Sequence, residues 1–155
     1  MCIENNLNFF LIFNSMRNGI SQRYLNELTY EINAAAIEVH KTLGPGLLES
    51  IYHKCLQHEL SIRNIYFNSE LSIQLNYKGI SLDSNLRCDL FVEHCIVLEM
   101  KAVESIHAIY EAQILTYMQQ LSAPKGILYN FNCANLIRNG QKTFVNQLFA
   151  ELPIR

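Results

Sequence analysis

The sequence predicts an α/β sandwich, one mixed β-sheet flanked by helices on both faces, and three observations carry that expectation. Residues 30–43, 47–62 and 106–121 place apolar side chains at helical spacing. Residues 70–77, 87–92, 95–100 and 126–131 have the composition of strands, β-branched and large apolar, with alternation in the first of them. The order is helix, helix, strand, hairpin, helix, strand (ααβββαβ), and such interleaving favours helices on both sides of a single sheet.

Each element has its local cause. Asn26 or Thr29 can cap the first helix, whose core face is Ile32, Ala35, Ala36, Val39 and Leu43, and Gly44-Pro45-Gly46 stops it. The second helix carries an apolar stripe of Leu48, Ile51, Tyr52, Cys55, Leu56 and Leu60, with Glu49 in its first turn, where the helix dipole favours a carboxylate. In residues 70–77, Leu71, Ile73, Leu75 and Tyr77 alternate with Ser72, Gln74 and Asn76, and Lys78-Gly79 turns the chain towards a return over residues 80–82. The third helix presents Ile106, Ile109, Tyr110, Ile114, Tyr117, Met118 and Leu121, and ends at Ala123-Pro124. Residues 126–131 are apolar enough for a central strand. Residues 132–140 read as a polar loop, and residues 142–149 as an edge strand or a final helix.

Composition narrows the function classes. Of 155 residues half are apolar and 17% charged, which is the balance of a compact globular chain. The expected organisation is an arm over residues 1–27 and one domain over 28–155. The net charge is −2 and the twelve Lys and Arg form no run, which argues against a large footprint built on phosphate neutralisation. Cysteines 2, 55, 88, 95 and 133 are odd in number and contain no Cys-x-x-Cys pair. Neither a disulfide framework nor a zinc knuckle is indicated, and a reducing cytoplasm fits best. His53 and His58 match no helical metal motif and read as packing or surface residues. No stretch approaches the roughly 20 apolar residues of a membrane helix. The apolar run at residues 8–13 has three readings: a packing arm, a homo-oligomer contact, or a translated leader ahead of Met16.

Charge sits out of place in the hairpin. Cys95-Ile-Val-Leu-Glu-Met100 would be a strand buried on both faces, and Glu99 interrupts it. Alternation puts Glu99 and Lys101 on one side of that strand and Met100 on the other. Asp89 lies on the partner strand. If Glu93-His94 alone made the turn, Asp89 would pair with Leu98 and face away from Glu99; an odd loop centred on His94, or a bulge, puts both acids on one face. The odd loop or bulge is expected. Two carboxylates so placed repel and need a cation, and hard oxygen ligands suit Mg²⁺ or Mn²⁺.

The run Val39-His-Lys-Thr-Leu-Gly-Pro-Gly46-Leu-Leu-Glu49-Ser-Ile-Tyr52 resembles the signature of the GxxExxY family. Tyr77-Lys-Gly, Asp89-Leu-Phe-Val, Glu99-Met-Lys101-Ala, Glu111-Ala-Gln113 with Tyr117, and Gly126-Ile-Leu-Tyr-Asn-Phe follow in that family's order, covering roughly residues 28–146. The family is placed among the PD-(D/E)xK nuclease-like folds, near the RecB-like branch. The resemblance implies a restriction-endonuclease-like sandwich acting on nucleic acid, DNA ahead of RNA, with Mg²⁺ or Mn²⁺. By the same resemblance Asp89 and Glu99 hold the metal with the Met100 backbone carbonyl, Glu49 completes or supports the shell, and His40 is a weaker upstream ligand. Lys101 acts on the attacking water or the phosphate. Gln113, Tyr117 and Tyr52 serve the nucleic acid. Family members often carry Lys-Arg near the last strand, where this chain has Gln141-Lys142, so a phosphate contact is expected to be weaker. Two rivals to metal-dependent hydrolysis stand: a nuclease-derived binding or interaction module without turnover, and a globular domain whose charged strand end is only solvated, with Asp89, Glu99 and Glu49 pointing apart.

Overall fold

A computed structural model describes residues 19–155; the apolar run at residues 8–13 lies outside them. The first helix, α1 (Gln22–Leu43), starts earlier than Asn26 or Thr29, because Ser21 caps it by accepting a hydrogen bond from the Tyr24 N–H at 3.1 Å. Residues 22–27, read from the sequence as part of an arm, are therefore its first turns, and Leu25 is already fully buried. Leu28, Ile32, Ala35, Ala36 and Val39 continue the buried face, and Gly44 ends the helix at a φ of 67°.

Helix α2 (Glu49–Ile62) buries only the row Tyr52, Leu56, Leu60, at four-residue spacing. Leu48 and Ile51, expected in its stripe, are 71% and 37% exposed. Leu48 is the extended cap residue outside the helix, and the row beside the buried one is the polar series Glu49, His53, Gln57.

Five strands form the main sheet in the order β1 (Phe67–Ser72), β4 (Arg87–Val92), β5 (Ile96–Lys101), β6 (Lys125–Asn130), β7 (Gln141–Val145). Only β5 and β6 run parallel, joined by α3 (Ala108–Gln120). The strand expected over 70–77 is two elements. The chain leaves the sheet at Ile73, whose N–H donates to the Leu86 carbonyl and whose carbonyl accepts from the Ser84 hydroxyl. A separate ribbon follows, β2 (Leu75–Tyr77) against β3 (Ile80–Leu82), turned at Lys78-Gly79 with φ positive at both residues. The last segment joins both expectations, with β7 followed by the short helix α4 (Gln147–Ala150), and the loop before it holds a π turn at Leu136–Gly140.

Alternation along the strands divides the core. Leu90, Val92, Ile96, Leu98, Met100, Ile127 and Tyr129 face α1 and α2, while Phe91, Val97 and Leu128 meet Ile114, Tyr117 and Met118 of α3. The α3 stripe runs through 110, 114, 117, 118 and 121; Ile109, one residue and about 100° off that stripe, is 68% exposed instead of packed. Among the described residues no helix is long and apolar enough to cross a membrane, and Cys55, Cys88, Cys95 and Cys133 are free thiols.

Two glycines allow close approach, with different tolerance. A Cβ on Gly140 would lie 2.3 Å from the Asn130 carbonyl oxygen and 2.8 Å from Cys133 Sγ, whereas one on Gly126 would meet the flexible end of Met118 at 2.7 Å. Gly140→Ala is expected to cost about 2 kcal/mol or more and Gly126→Ala less, since only the second contact can yield by a rotamer change. Denaturant midpoints of the two variants check the ranking.

Candidate active site

Register decides what the hairpin presents. Val92 pairs with Ile96, Phe91 with Val97 and Leu90 with Leu98, leaving a three-residue loop, Glu93-His94-Cys95. Glu93 and His94 both take positive φ, and the Cys95 N–H closes the turn on the Val92 carbonyl at 3.0 Å. The loop is odd, as the sequence required for the two acids to share a face. Past Leu90 and Leu98 side chains take over from the ladder. The Asp89 N–H donates to Glu99 Oε1 at 3.2 Å, and the Met100 N–H donates to Asp89 Oδ2 at 2.7 Å. Each acid is thus pinned by the other strand's backbone, and the shorter bond, to Asp89, has the length of a charge-assisted one.

Lys101 closes the group. Its Nζ lies 3.6 Å from Glu99 Oε2 and 3.8 Å from Glu49 Oε1, so the first turn of α2 reaches the end of β5. Both separations exceed an N–H···O hydrogen bond, so the ammonium stands between the two carboxylates without being seated on either. The same Nζ lies 5.3 Å from the centroid of the Tyr110 ring. Glu99 is 2% exposed. Its burial, and next the charge of Asp89, push the carboxyl up to about 8, against the pull of Lys101. Burial also raises Glu49, opposed by Lys101. Asp89 lies beside Glu99, and Glu99 and Glu49 flank one ammonium, so the three acids do not point apart. Among the described residues, no three His, Cys, Asp or Glu side chains form a ready-made ion cage.

Helix α3 supplies the far wall. Gln113 Nε2 donates to the Tyr117 hydroxyl at 2.7 Å. The Tyr117 phenol is pushed up to about 12, by burial first and by Glu99 second. A groove of about 400 Å³, lined in part by Leu86, Tyr110, Gln113 and Tyr117, runs along this side.

Three sequence expectations are placed elsewhere. Tyr52, expected to touch nucleic acid, is fully buried: it stacks on Phe131 at 4.6 Å, donates its hydroxyl proton to the Gly44 carbonyl and accepts from the Leu47 N–H. It shapes the loop that delivers Glu49 and has no surface to offer. His40, the weaker ligand candidate, has its Nε2 on the Cys133 carbonyl at 2.9 Å, tying α1 to the loop after β6. Lys142, the one basic group of the Gln141-Lys142 pair, is paired with Glu111 of α3 at the surface.

Two residues of the surroundings are not read as such from the sequence. Asn130, 4% exposed, accepts from the Val103 and Asn132 N–H groups and donates to the Val103 carbonyl at 2.8 Å, fixing the chain just past Lys101. A lone amide in an otherwise apolar central strand was its available signal. His53 touches the backbone of Asp89, and its signal was the four-residue step from Glu49.

A sheet whose central hairpin ends in two paired acids and a lysine, flanked by helices on both faces, defines a nuclease-like α/β domain of the restriction-endonuclease type. Residues 26–144 match the profile of the PD-(D/E)XK nuclease superfamily, and the chain belongs to that superfamily. No curated protein and no solved structure gave a match.

The burial of Glu99 has a consequence for stability. A carboxyl raised in the folded chain from its ordinary 4.5 to about 8 binds more protons folded than unfolded between those values. Its contribution is intact below about pH 4.5 and is lost as pH rises through 8. In metal-free protein, Glu99→Gln is expected to gain stability over the native chain at pH 8, by on the order of a kcal/mol or more, and to gain nothing near pH 4. Melting curves across that range measure the crossover.

Proposed function

We propose that this protein is a metal-dependent nuclease that hydrolyses phosphodiester bonds, with DNA ahead of RNA as its substrate. The observation that carries the reading is the placement of Asp89 beside Glu99, with Glu99 and Glu49 flanking Lys101, at the end of the two central strands. The donors are all oxygen, the chemistry a hard divalent ion takes. Asp89 Oδ2 and Glu99 Oε1 are committed to backbone N–H groups, while Glu99 Oε2 faces only an ammonium 3.6 Å away, and a nearly buried carboxylate gains most from a nearby cation. Asp89 and Glu99 would hold Mg²⁺ or Mn²⁺, with the Met100 carbonyl and Glu49 as further oxygen donors. When bound, such an ion supplies Lewis-acid polarisation of the phosphate and a more acidic water.

The chain's own groups do the rest. Lys101 orients the attacking water, or accepts its proton when itself neutral, and stabilises charge on the phosphate oxygens. Glu49 holds Lys101 from the side opposite Glu99. Gln113 and Tyr117 position the substrate backbone along the α3 groove through their polar ends, since the Tyr117 ring, 2% exposed, cannot stack on a base. The free thiols are consistent with a reducing cytoplasm.

A second reading, a binding or interaction module of nuclease descent without turnover, is favoured by one observation, the Lys142–Glu111 pair, in which an acid competes with phosphate for the one basic group there. Asp89→Ala and Lys101→Ala are each expected to lower divalent-dependent cleavage by at least about a hundredfold while leaving the circular dichroism spectrum unchanged. Cleavage that survives both changes refutes the assignment. Calorimetry with Mn²⁺, run beside assays on single-stranded, duplex and structured DNA and RNA, separates the readings: binding without cleavage of any substrate supports the silent module.

A further inference from the structure

Strand β1 is irregular opposite the site. Its register with β4 pairs Ser69 with Leu90 and Leu71 with Cys88 but skips Glu70 and Asp89, and Glu70 takes a φ of 51°. The ladder is interrupted at that pair, and a main-chain carbonyl there calls for a donor from outside it. The donor comes from α2, where His53 Nε2 lies 3.2 Å from that oxygen.

The proton's place on the ring follows. A carbonyl only accepts, so Nε2 is the donor to Asp89, while Gln57 Nε2 packs against the ring 3.3 Å from both of its nitrogens and the Ser69 hydroxyl lies 3.5 Å from Nε2. Gln57 also donates to the Ser69 hydroxyl at 3.1 Å, anchoring the assembly to β1 on the near side of the irregularity. Glu49, His53 and Gln57 stand four residues apart and form one polar ridge along α2. The first meets Lys101, the second the main chain of Asp89, the third braces the second.

We infer that His53 is a positioning residue for Asp89, holding the main chain of β4 where it leaves the ladder so that the carboxylate stays on the Met100 amide and beside Glu99. The consequence for an ion rests on the metal-dependent reading above; the positioning itself does not. A residue that fixes a ligand from behind commonly changes metal affinity by 10–100-fold when lost.

The test pairs a readout without metal with one that uses it. In the metal-free chain, hydrogen exchange of the Met100 amide reports whether Asp89 Oδ2 still accepts from it, with Asp89→Ala marking complete loss. His53→Ala is expected to speed that exchange towards the Asp89→Ala value while the Leu98 and Ile127 amides keep their protection. His53→Gln, whose amide can reach the same carbonyl, is expected to restore it. If His53→Ala does not fold, Gln57→Leu, which unbraces the ring, is expected to shift the Met100 amide in the same direction by less. In calorimetry with Mn²⁺, His53→Ala should weaken binding 10–100-fold, with His53→Gln close to the native chain. A Met100 amide equally protected in the native chain and His53→Ala, or in Gln57→Leu where that variant stands in, overturns the inference, as does uniform loss of protection across the core. Should the native chain bind no Mn²⁺, the metal reading fails alone, and the amide exchange still decides what His53 does.

Discussion

The structure depends on how a carboxylate is kept inside an apolar strand. Glu99 has Leu98 and Met100 as neighbours, both fully buried, and is itself nearly inaccessible. Removing an ionised carboxylate from water is expensive unless hydrogen bonds and an opposite charge accompany it. Both are present, the Asp89 N–H on one oxygen and Lys101 near the other. The compensation is incomplete, which is why the acid sits so far above its usual range at rest. An arrangement left short of positive charge is what a cation-binding centre needs.

The surroundings serve that one group. The odd turn at 93–95 sets the register that aligns Asp89 with it, the ladder gives way to two side-chain bonds, and α2 closes the end of β5 with Glu49. Tyr52 and His40 belong to this support. Each binds a main-chain carbonyl, at Gly44 and Cys133 respectively, and so ties down a loop next to the centre. Asn130 does the same for the segment after Lys101 from the neighbouring parallel strand.

What could be read in the sequence follows from the range of the forces involved. The central strands and three long helices announced themselves because burial on one or both faces leaves a period that composition displays. The acid pair was legible because side-chain parity is strict, so an odd loop could be inferred from the need to place two carboxylates together. Legibility failed where tertiary contacts overrode local pattern. Residues 70–77 alternate well enough for one strand, yet the register with β4 runs only as far as Ile73 and Leu86, and residues 75–77 pair with 80–82 instead. Leu48 and Ile109 look like core residues by type, but a cap position and a 100° offset leave them in solvent. His53 reads in the sequence as a packing or surface residue because its partner is a main-chain oxygen, and the four-residue step from Glu49 shows only a shared helix face.

The β2–β3 ribbon has a practical consequence. It is inserted between two strands that pair directly with each other, and its tip at Lys78-Gly79 touches none of the bonds that align β1 with β4. The length and chemistry of that excursion are thus decoupled from the strands that carry Asp89 and Glu99, and a protein engineer could graft a reporter or an affinity handle there without disturbing the sheet.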